Sequence, residues 1–202
     1  MEEQNLYEQL LFGGVLPAGY EGMYRIGVRC DSEKHKCCLT VYRARNRRYE
    51  TVFSCNGIIG ANGTGKIAEG DMKTPLGTYV IGAAYGIKDD PGSRVPYVKI
   101  TKDMYWRGDS ECDDYNTLAY ADNLPENTDF SHDEHLIEYA GSYNYLIDIG
   151  YNTCRAPYAG SAVFLHCIAD GKTTTSGCIA IMETDMIRVL RTVTIGTQIT
   201  IY

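Results

Sequence analysis

Alternation of apolar and polar residues dominates the first half of the chain. Segments rich in Val, Ile, Thr and Tyr follow one another with a period of two, which predicts β-strands with one buried face. The first three form a meander, in which Arg45–Arg47 is the turn between the second and third strands. The predicted strands are Met23–Cys30, Cys38–Tyr42, Tyr49–Phe53, Gly77–Gly82, Val95–Thr101, Tyr143–Ile149, Ser161–His166 and Thr197–Tyr202.

Helical periodicity is scarce. The clearest case is Thr184–Thr192, where Met186, Ile187 and Leu190 share one face and Thr184 is placed to cap the helix. The pattern therefore predicts a mainly β (α+β) fold with one or two short helices. We expect residues 1–202 to form a single domain, with an N-terminal β part (1–56) and a part that carries the motifs (57–202).

Asp133–Tyr139 is the second candidate helix, with Ser131 as its cap. His132 and His135, three residues apart, could bind a metal on one face of that helix, although a solvated charged face explains them better. The preceding stretch, Trp106–Ser131, is polar and acidic and is predicted to be a long loop. Long loops in compact domains are often functional.

Charge and hydropathy exclude two classes of partner. The formal charge is −7 and no basic block occurs, which argues against nucleic-acid binding because that function needs a positive surface. No apolar run approaches the length of a membrane span. Met1–Glu8 is acidic where a signal peptide would be basic, and the apolar run Leu10–Leu16 is short and broken by glycines. The sequence leaves open an intracellular protein or a piece of a secreted one.

Eight cysteines are many for a domain of this size. Cys30 and Cys38 flank a turn, and a disulfide between them is plausible. Zinc held by Cys30, Cys37, Cys38 and His35 is the alternative, but no C-x-x-C pair occurs and adjacent strand residues face opposite ways. The sequence favours structural or free thiols over a metal site.

The most informative cysteine is Cys178. It follows Gly177 in a small polar turn, and His166 lies twelve residues upstream at the end of an apolar strand. A nucleophilic thiol needs a nearby imidazole and backbone amides to hold an oxyanion. We therefore interpret Cys178 as an acyl-transfer nucleophile and His166 as its base. The alternative is a buried small hydrophobe beside a hydrogen-bonded core histidine.

A glycine-rich segment, Gly60–Ile67, nearly matches a phosphate-binding loop. That motif needs Ser or Thr after its lysine and a helix behind it. Ile67 follows Lys66, and Pro75 comes soon afterwards. We therefore interpret the segment as a loop between strands and reject a nucleotide site.

Three blocks of sequence resemble the YkuD-type L,D-transpeptidase catalytic domain. His166 followed by Thr175-Ser-Gly-Cys178-Ile is similar to the active-site signature of that family. Lys73-Thr-Pro-Leu-Gly77 resembles its Lys-Thr-Pro-x-Gly strand entry, and Ile149-Gly-Tyr-Asn152 leading to His166 resembles a bacterial subgroup. The blocks occur in the order of the family and cover residues 57–202.

The resemblance implies a YkuD-type β-sandwich or barrel-like fold, a site and a substrate. Cys178 would attack peptidoglycan stem peptides with no cofactor and no metal, in an extracytoplasmic location, and the chain would then be a trimmed piece. Residues assigned to the site in this way are Cys178, His166, Ser176, Gly177 and Cys167 for catalysis, and Tyr151, Asn152 and Thr175 for substrate binding. The Cys167 carbonyl would orient His166. The loop Asp109–Asp114 would lie in an insertion beside the site.

The sequence departs from the common family pattern at two positions. Ser176 stands where a second histidine usually precedes Gly-Cys, and Ala180 stands where an arginine often follows. The second change puts recognition of a substrate carboxylate in doubt. Three hypotheses therefore stay open: an L,D-transpeptidase or L,D-carboxypeptidase, a binding module for stem peptides without turnover, and a thiol protein for metal or redox chemistry.

Overall fold

A computed structural model describes residue 9 and residues 11–202, and its centre is a ten-stranded sheet. The strand order is β4-β13-β1-β2-β3-β12-β11-β10-β5-β6, and a second sheet has the order β8-β7-β9. The strands are β1 Tyr24–Asp31, β2 Lys36–Arg45, β3 Arg48–Ile58, β4 Gly77–Val80, β5 Ala84–Gly86, β6 Tyr97–Lys99, β7 Met104–Trp106, β8 Leu118–Tyr120, β9 Glu134–His135, β10 Leu146–Asp148, β11 Phe164–Cys167, β12 Ile179–Ile181 and β13 Gln198–Ile201. The helices whose bounds are described are α1 Glu183–Leu190 and two 3-10 turns, Ala121–Asn123 and Leu136–Glu138; residues 9, 11 and 12 are helical as well.

The predicted mainly β fold is confirmed, and so is the opening meander. β1, β2 and β3 pair antiparallel, and β3 continues without interruption across the expected division after residue 56. Asn46 and Arg47 turn the chain with φ of 50° and 60°, the positive values that a two-residue hairpin turn requires. The acidic segment Met1–Glu8, discussed above as a possible leader, lies outside the described residues.

Two buried clusters lie against opposite faces of the large sheet. Leu165 and Ile179 point to the face that α1 covers through Met186 and Leu190. On the other face, Phe164, Cys178, Tyr143 and Leu146 pack with Trp106 of the small sheet, whose indole meets the Phe164 ring edge to face at 4.8 Å. The alternation of side chains along β11 and β12 therefore directs Cys178 towards the small sheet.

The helix predicted at Asp133–Tyr139 is wrong. This segment forms β9 and a 3-10 turn, and the Asp133 carboxylate accepts from the Gly108 N–H at 2.8 Å and pairs with Arg107. A buried ion pair and the pairing of β9 with β7 thus override a weak local preference. Ser131 caps no helix there, since the residue preceding the 3-10 turn is His135.

The C-terminal helix is confirmed with a different start. α1 begins at Glu183, is preceded by Met182 and has no side-chain cap, so the prediction that Thr184 caps it is wrong. Ile187 is only partly buried against the core, and Val189 replaces it on the buried face.

Five short strands were not predicted: β5, β7, β8, β9 and β12. The end of β7 and all of β8 lie inside the stretch that was predicted to be a loop. Each has two or three residues, too few for a period to appear, and pairing with a distant partner defines it.

All eight cysteines are free thiols, so the disulfide considered as one alternative between Cys30 and Cys38 is not formed. The register of β1 and β2 places Cys30 opposite Cys37, and Cys38 opposite Arg29. Within the part of the chain that the structure describes, no three His, Cys, Asp or Glu side chains lie close enough to hold a metal ion. None of the described helices is long and apolar enough to cross a membrane.

Candidate active site

The turn Thr175–Cys178 joins the loop after β11 to β12 and is held by one hydroxyl group. Thr175 Oγ1 donates to the Cys178 carbonyl at 2.6 Å and accepts from the Gly177 N–H at 3.1 Å. Gly177 has a φ of +139°, a conformation that suits glycine. This turn fixes the backbone on both sides of the cysteine.

The Lys73-Thr74 segment supports this turn from behind. Thr74 is fully buried, and its hydroxyl accepts from the Gly60 N–H at 2.9 Å and donates to the Cys178 carbonyl at 3.4 Å. A Cβ added at Gly177 would lie 2.9 Å from the Lys73 carbonyl oxygen. The Lys-Thr-Pro block is thus a support for the Gly-Cys turn.

Cys178 presents a protonated thiol. Its Sγ lies 3.2 Å from the Ala162 carbonyl oxygen, to which it donates, and 3.3 Å from the Phe164 N–H, from which it accepts. Burial and the nearby Glu134 carboxyl raise the pKa of Cys178 to about 12, against smaller opposing effects of the Phe164 N–H and of Lys66. The resting sulfur is therefore a thiol, and a nucleophilic role would require a base to remove its proton.

His166 lies on the same face of the sheet as Cys178. The parallel register pairs it with Ala180, two residues beyond Cys178, so the two side chains are diagonal neighbours. Its Nδ1 lies 2.7 Å from the Cys167 carbonyl oxygen. Because a carbonyl only accepts, Nδ1 carries the proton and Nε2 has a free lone pair. Burial lowers the pKa of His166 to about 4, so the imidazole is neutral at pH 7.

Two cavities meet at Cys178. The first, of about 340 Å³, is lined by His166, Tyr143 and Lys172 among others. The second, of about 230 Å³, is lined by residues that include Lys66 and His132. The residues that line both cavities are Met72, Glu134, Ser176 and Cys178.

Most of the predicted site residues come together. The residues of that set that line the first cavity are Cys178, His166, Cys167, Thr175 and Ser176, and Gly177 lines the second. The Cys167 thiol itself points to the other face of the sheet and lies 3.4 Å from the Tyr145 carbonyl oxygen.

Tyr151 and Asn152 line neither cavity. The Tyr151 hydroxyl donates to the Ala159 carbonyl at 2.7 Å. The Asn152 side chain bonds to backbone groups of Ala156 and Gly160. Both residues hold the loop that leads into β11, and substrate contact by either stays a prediction that these bonds do not support.

Sequence reasoning missed Glu134 and Tyr143. Glu134 is on β9 opposite Trp106, and its carboxylate accepts a hydrogen bond from the Tyr143 hydroxyl. The Tyr143 ring in turn meets the His166 ring edge to face at 5.5 Å. No local motif marks either residue, because only the packing of the small sheet on β10 and β11 brings them to Cys178.

The glycine-rich segment borders the second cavity. Lys66 is nearly fully buried, and its ammonium lies 3.0 Å from the Asp71 carboxylate and 3.1 Å from the Ala68 carbonyl. Glu69, in the same cavity, accepts from the hydroxyls of Tyr115 and Ser161 at 2.6 and 2.7 Å. Both charged side chains are therefore already paired.

The acidic loop Asp109–Asp114 lines neither cavity. Asp114 pairs with the buried Arg107, which ties the loop to the small sheet. His135 lies outside the cavities as well, stacked on Tyr105 at 4.3 Å and 2.6 Å from the Lys102 carbonyl oxygen. His132, in contrast, lines the second cavity.

Fold and site together define a class: β-sheet domains that place a cysteine and a histidine of neighbouring strands in one cavity. The model of the YkuD family, the L,D-transpeptidase catalytic domain, matches residues 38–201. The chain belongs to this family.

The solved structures that match this chain are distant in sequence. Bd1075 from Bdellovibrio bacteriovorus is 17% identical with a TM-score of 0.46, and the alignment covers 94% of this chain and 54% of that one. The helical cell shape determining protein Pgp2 from Campylobacter jejuni is 16% identical with a TM-score of 0.43, covering 98% and 54%. L,D-transpeptidase 1 from Mycobacterium tuberculosis is 14% identical with a TM-score of 0.39, covering 88% and 62%. This chain thus spans little more than half of these proteins. No curated protein matches it significantly.

Proposed function

We propose that this protein is a cysteine-dependent L,D-transpeptidase of peptidoglycan. The observation that carries the proposal is the position of Cys178 at the junction of two cavities, with His166 in the first. A transferase has to hold an acyl donor and an acceptor against the same sulfur, and two joined cavities provide the space for both. The family membership agrees with this chemistry.

In the first half-reaction, the donor is a stem tetrapeptide that ends in D-alanine. His166 Nε2 removes the thiol proton while Sγ attacks the carbonyl at the L-centre of the third residue. The oxyanion is held by backbone N–H groups of the Cys178 turn. Because the Gly177 N–H already bonds to Thr175, we assign this role first to Ser176 and Cys178. D-alanine then leaves with the proton from His166, and a thioester remains on Cys178.

The donor carboxylate needs a positive partner. Ala180, at the position where the family often has an arginine, is fully buried beside His166. Lys172 is exposed at the rim and lines the first cavity, and we assign the terminal carboxylate to it. This assignment makes the departure at residue 180 compatible with turnover.

In the second half-reaction, a primary amine of another stem peptide attacks the thioester and forms a 3–3 cross-link. Water in place of the amine would make the protein an L,D-carboxypeptidase. Since peptidoglycan lies outside the cytoplasmic membrane, we propose an extracytoplasmic location. Neither half-reaction, as written, uses a metal or an organic cofactor.

Incubation with a disaccharide-tetrapeptide, followed by mass spectrometry, tests the proposal. We expect loss of D-alanine, a thioester adduct on the protein and a cross-linked dimer. Cys178→Ala should abolish all three, whereas Cys154→Ser, which changes an exposed thiol, should leave them intact. D-alanine loss without dimer would indicate a carboxypeptidase. Binding of the tetrapeptide without D-alanine loss would indicate a binding module and overturn the proposal.

A further inference from the structure

Glu134 lies where the two cavities join. In the proposed reaction the first cavity holds the acyl donor and the second holds the acceptor. Four residues line both cavities, and two of them, Glu134 and the nucleophile Cys178, have side chains that titrate. β9 holds it there, because its neighbour Asp133 is fixed by Arg107 and by the Gly108 N–H. A carboxyl group at this junction faces whatever approaches the thioester from the second cavity.

One oxygen of the Glu134 carboxyl accepts a hydrogen bond, and the other has no partner among the described residues. Oε2 accepts from the Tyr143 hydroxyl, and Oε1 has no hydrogen-bond partner among the described residues. No ion pair joins it to a Lys, Arg or His of residues 11–202, and the ammonium of the nearby Lys66 is held by Asp71. Electrostatic effects couple Glu134 to Tyr143, Glu69, Tyr139 and Cys178. The other titratable groups that line the two cavities with it include His166, Lys172, Lys66 and His132.

Burial raises the pKa of Glu134 to about 7, although the Tyr143 hydrogen bond opposes the shift. A carboxyl group with this pKa exchanges its proton readily at neutral pH. General bases work best when their pKa lies near the working pH. Glu134 therefore combines a suitable position with suitable proton affinity.

We propose that Glu134 binds the ammonium group of the acyl acceptor and takes its proton. The inference rests on the proposed function, and it specifies a cationic primary amine as the acceptor. An ammonium has no lone pair and cannot attack a thioester until it loses a proton. The ammonium has to lose two protons to become an amide nitrogen, and His166 relays the one that returns to the sulfur. A second base at the junction, Glu134, takes the other.

The step balances as follows. The Glu134 carboxylate accepts one proton from R–NH₃⁺, and the nitrogen lone pair attacks the thioester carbonyl. Collapse of the tetrahedral intermediate breaks the C–S bond and forms the amide, and the second nitrogen proton passes through His166 to the departing thiolate. Glu134 then returns its proton to water, and Cys178 is again a thiol.

A partition experiment tests this role. The acyl-enzyme is formed with a disaccharide-tetrapeptide and offered a primary-amine stem peptide or hydroxylamine, which is uncharged at neutral pH. For Glu134→Gln, the ratio of transfer to the amine over transfer to hydroxylamine should fall at least tenfold, and about 100-fold for a typical general base. An unchanged ratio would overturn the inference.

Glu138→Gln is the matched control. Glu138 is an exposed glutamate four residues further on that pairs with His135, and its substitution should leave the partition ratio unchanged. If the wild-type protein forms no acyl-enzyme at all, the proposed function has failed. If it forms one and the Glu134→Gln variant has the same transfer ratio, only the role of Glu134 has failed.

If the Glu134→Gln variant does not fold, the wild-type pH profile decides. An unassisted amine gains about tenfold in transfer rate per pH unit up to its own pKa near 10. With Glu134 as base, the amine transfer should instead level off above pH about 7 to 8, relative to hydroxylamine. A continuous rise to pH 9.5 would contradict the role.

Discussion

At the scale of single residues, the resting site consists of two neutral groups. Burial raises the pKa of Cys178 and lowers the pKa of His166, because a low-dielectric interior disfavours thiolate and imidazolium alike. The ion pair found in some cysteine enzymes is therefore absent at rest. A buried neutral thiol is protected from adventitious oxidation, since the thiolate is the reactive form.

We predict that His166→Gln slows acylation of Cys178 by about 10²–10⁴-fold. Glutamine keeps a donor for the Cys167 carbonyl and removes the base at Nε2. Because His166 is neutral at every pH well above 4, the deficit should be constant between pH 5.5 and 8. Quenched-reaction mass spectrometry of the acyl-enzyme measures it. A deficit below tenfold would mean that another group deprotonates the thiol.

At the scale of elements, the Thr175–Cys178 turn and the Lys73-Thr74 segment act as one unit. Each contributes a hydroxyl to the Cys178 carbonyl, so the cysteine backbone is fixed by side chains from two distant parts of the chain. The small sheet performs a similar task for Glu134 through its register with Trp106.

We predict that Gly177→Ala destabilises the protein by at least about 1 kcal/mol more than Gly196→Ala. Both glycines have positive φ, at 139° and 83°, and strain from φ costs about 1–3 kcal/mol at such sites. An added Cβ meets the Lys73 carbonyl at Gly177 but nothing within 4 Å at Gly196, and overpacking adds about 1–3 kcal/mol. Urea unfolding measures both. An equal decrease in the free energy of unfolding of both variants would show that the Thr175–Cys178 turn accommodates the methyl group without strain.

At the scale of the whole molecule, the small sheet packed on the large one creates the buried environment that perturbs Glu134. The folded protein holds this carboxyl at a pKa of about 7 against a reference value of 4.5. Since the native state binds the proton more tightly than the unfolded chain, the contribution of Glu134 to stability falls as pH rises from about 4.5 to 7 and is constant above.

The change in free energy of unfolding caused by Glu134→Gln should therefore be more favourable at pH 8 than at pH 4.5. The rise in the pKa of Glu134 from 4.5 to about 7 corresponds to at most about 3 to 4 kcal/mol, since a tenfold change in proton affinity is worth about 1.4 kcal/mol. The difference in free energy of unfolding between variant and wild type, measured in urea at both pH values, gives this quantity. A difference independent of pH would show that Glu134 is ionised normally.

The extent of sequence-based prediction differs between residues and elements. The long strands β1, β2 and β3 were predicted because alternation extends over many residues. Cys178 and His166 could be proposed as site residues because a Gly-Cys turn and a nearby histidine are local signals, and the structure places both in one cavity. β9 was mistaken for a helix because its two residues show no period.

The amino-acid sequence by itself determined the mainly β fold and the family, and it singled out the candidate thiol and imidazole, because periodicity and short motifs are properties of neighbouring residues. Only the tertiary structure decided which side chains share the cavities. It placed Tyr151 and Asn152 outside both cavities, put Cys30 opposite Cys37 instead of Cys38, and brought Glu134 into the cavities that Cys178 lines. Such contacts depend on strand register and on the packing of one sheet on another, which join residues far apart in the chain.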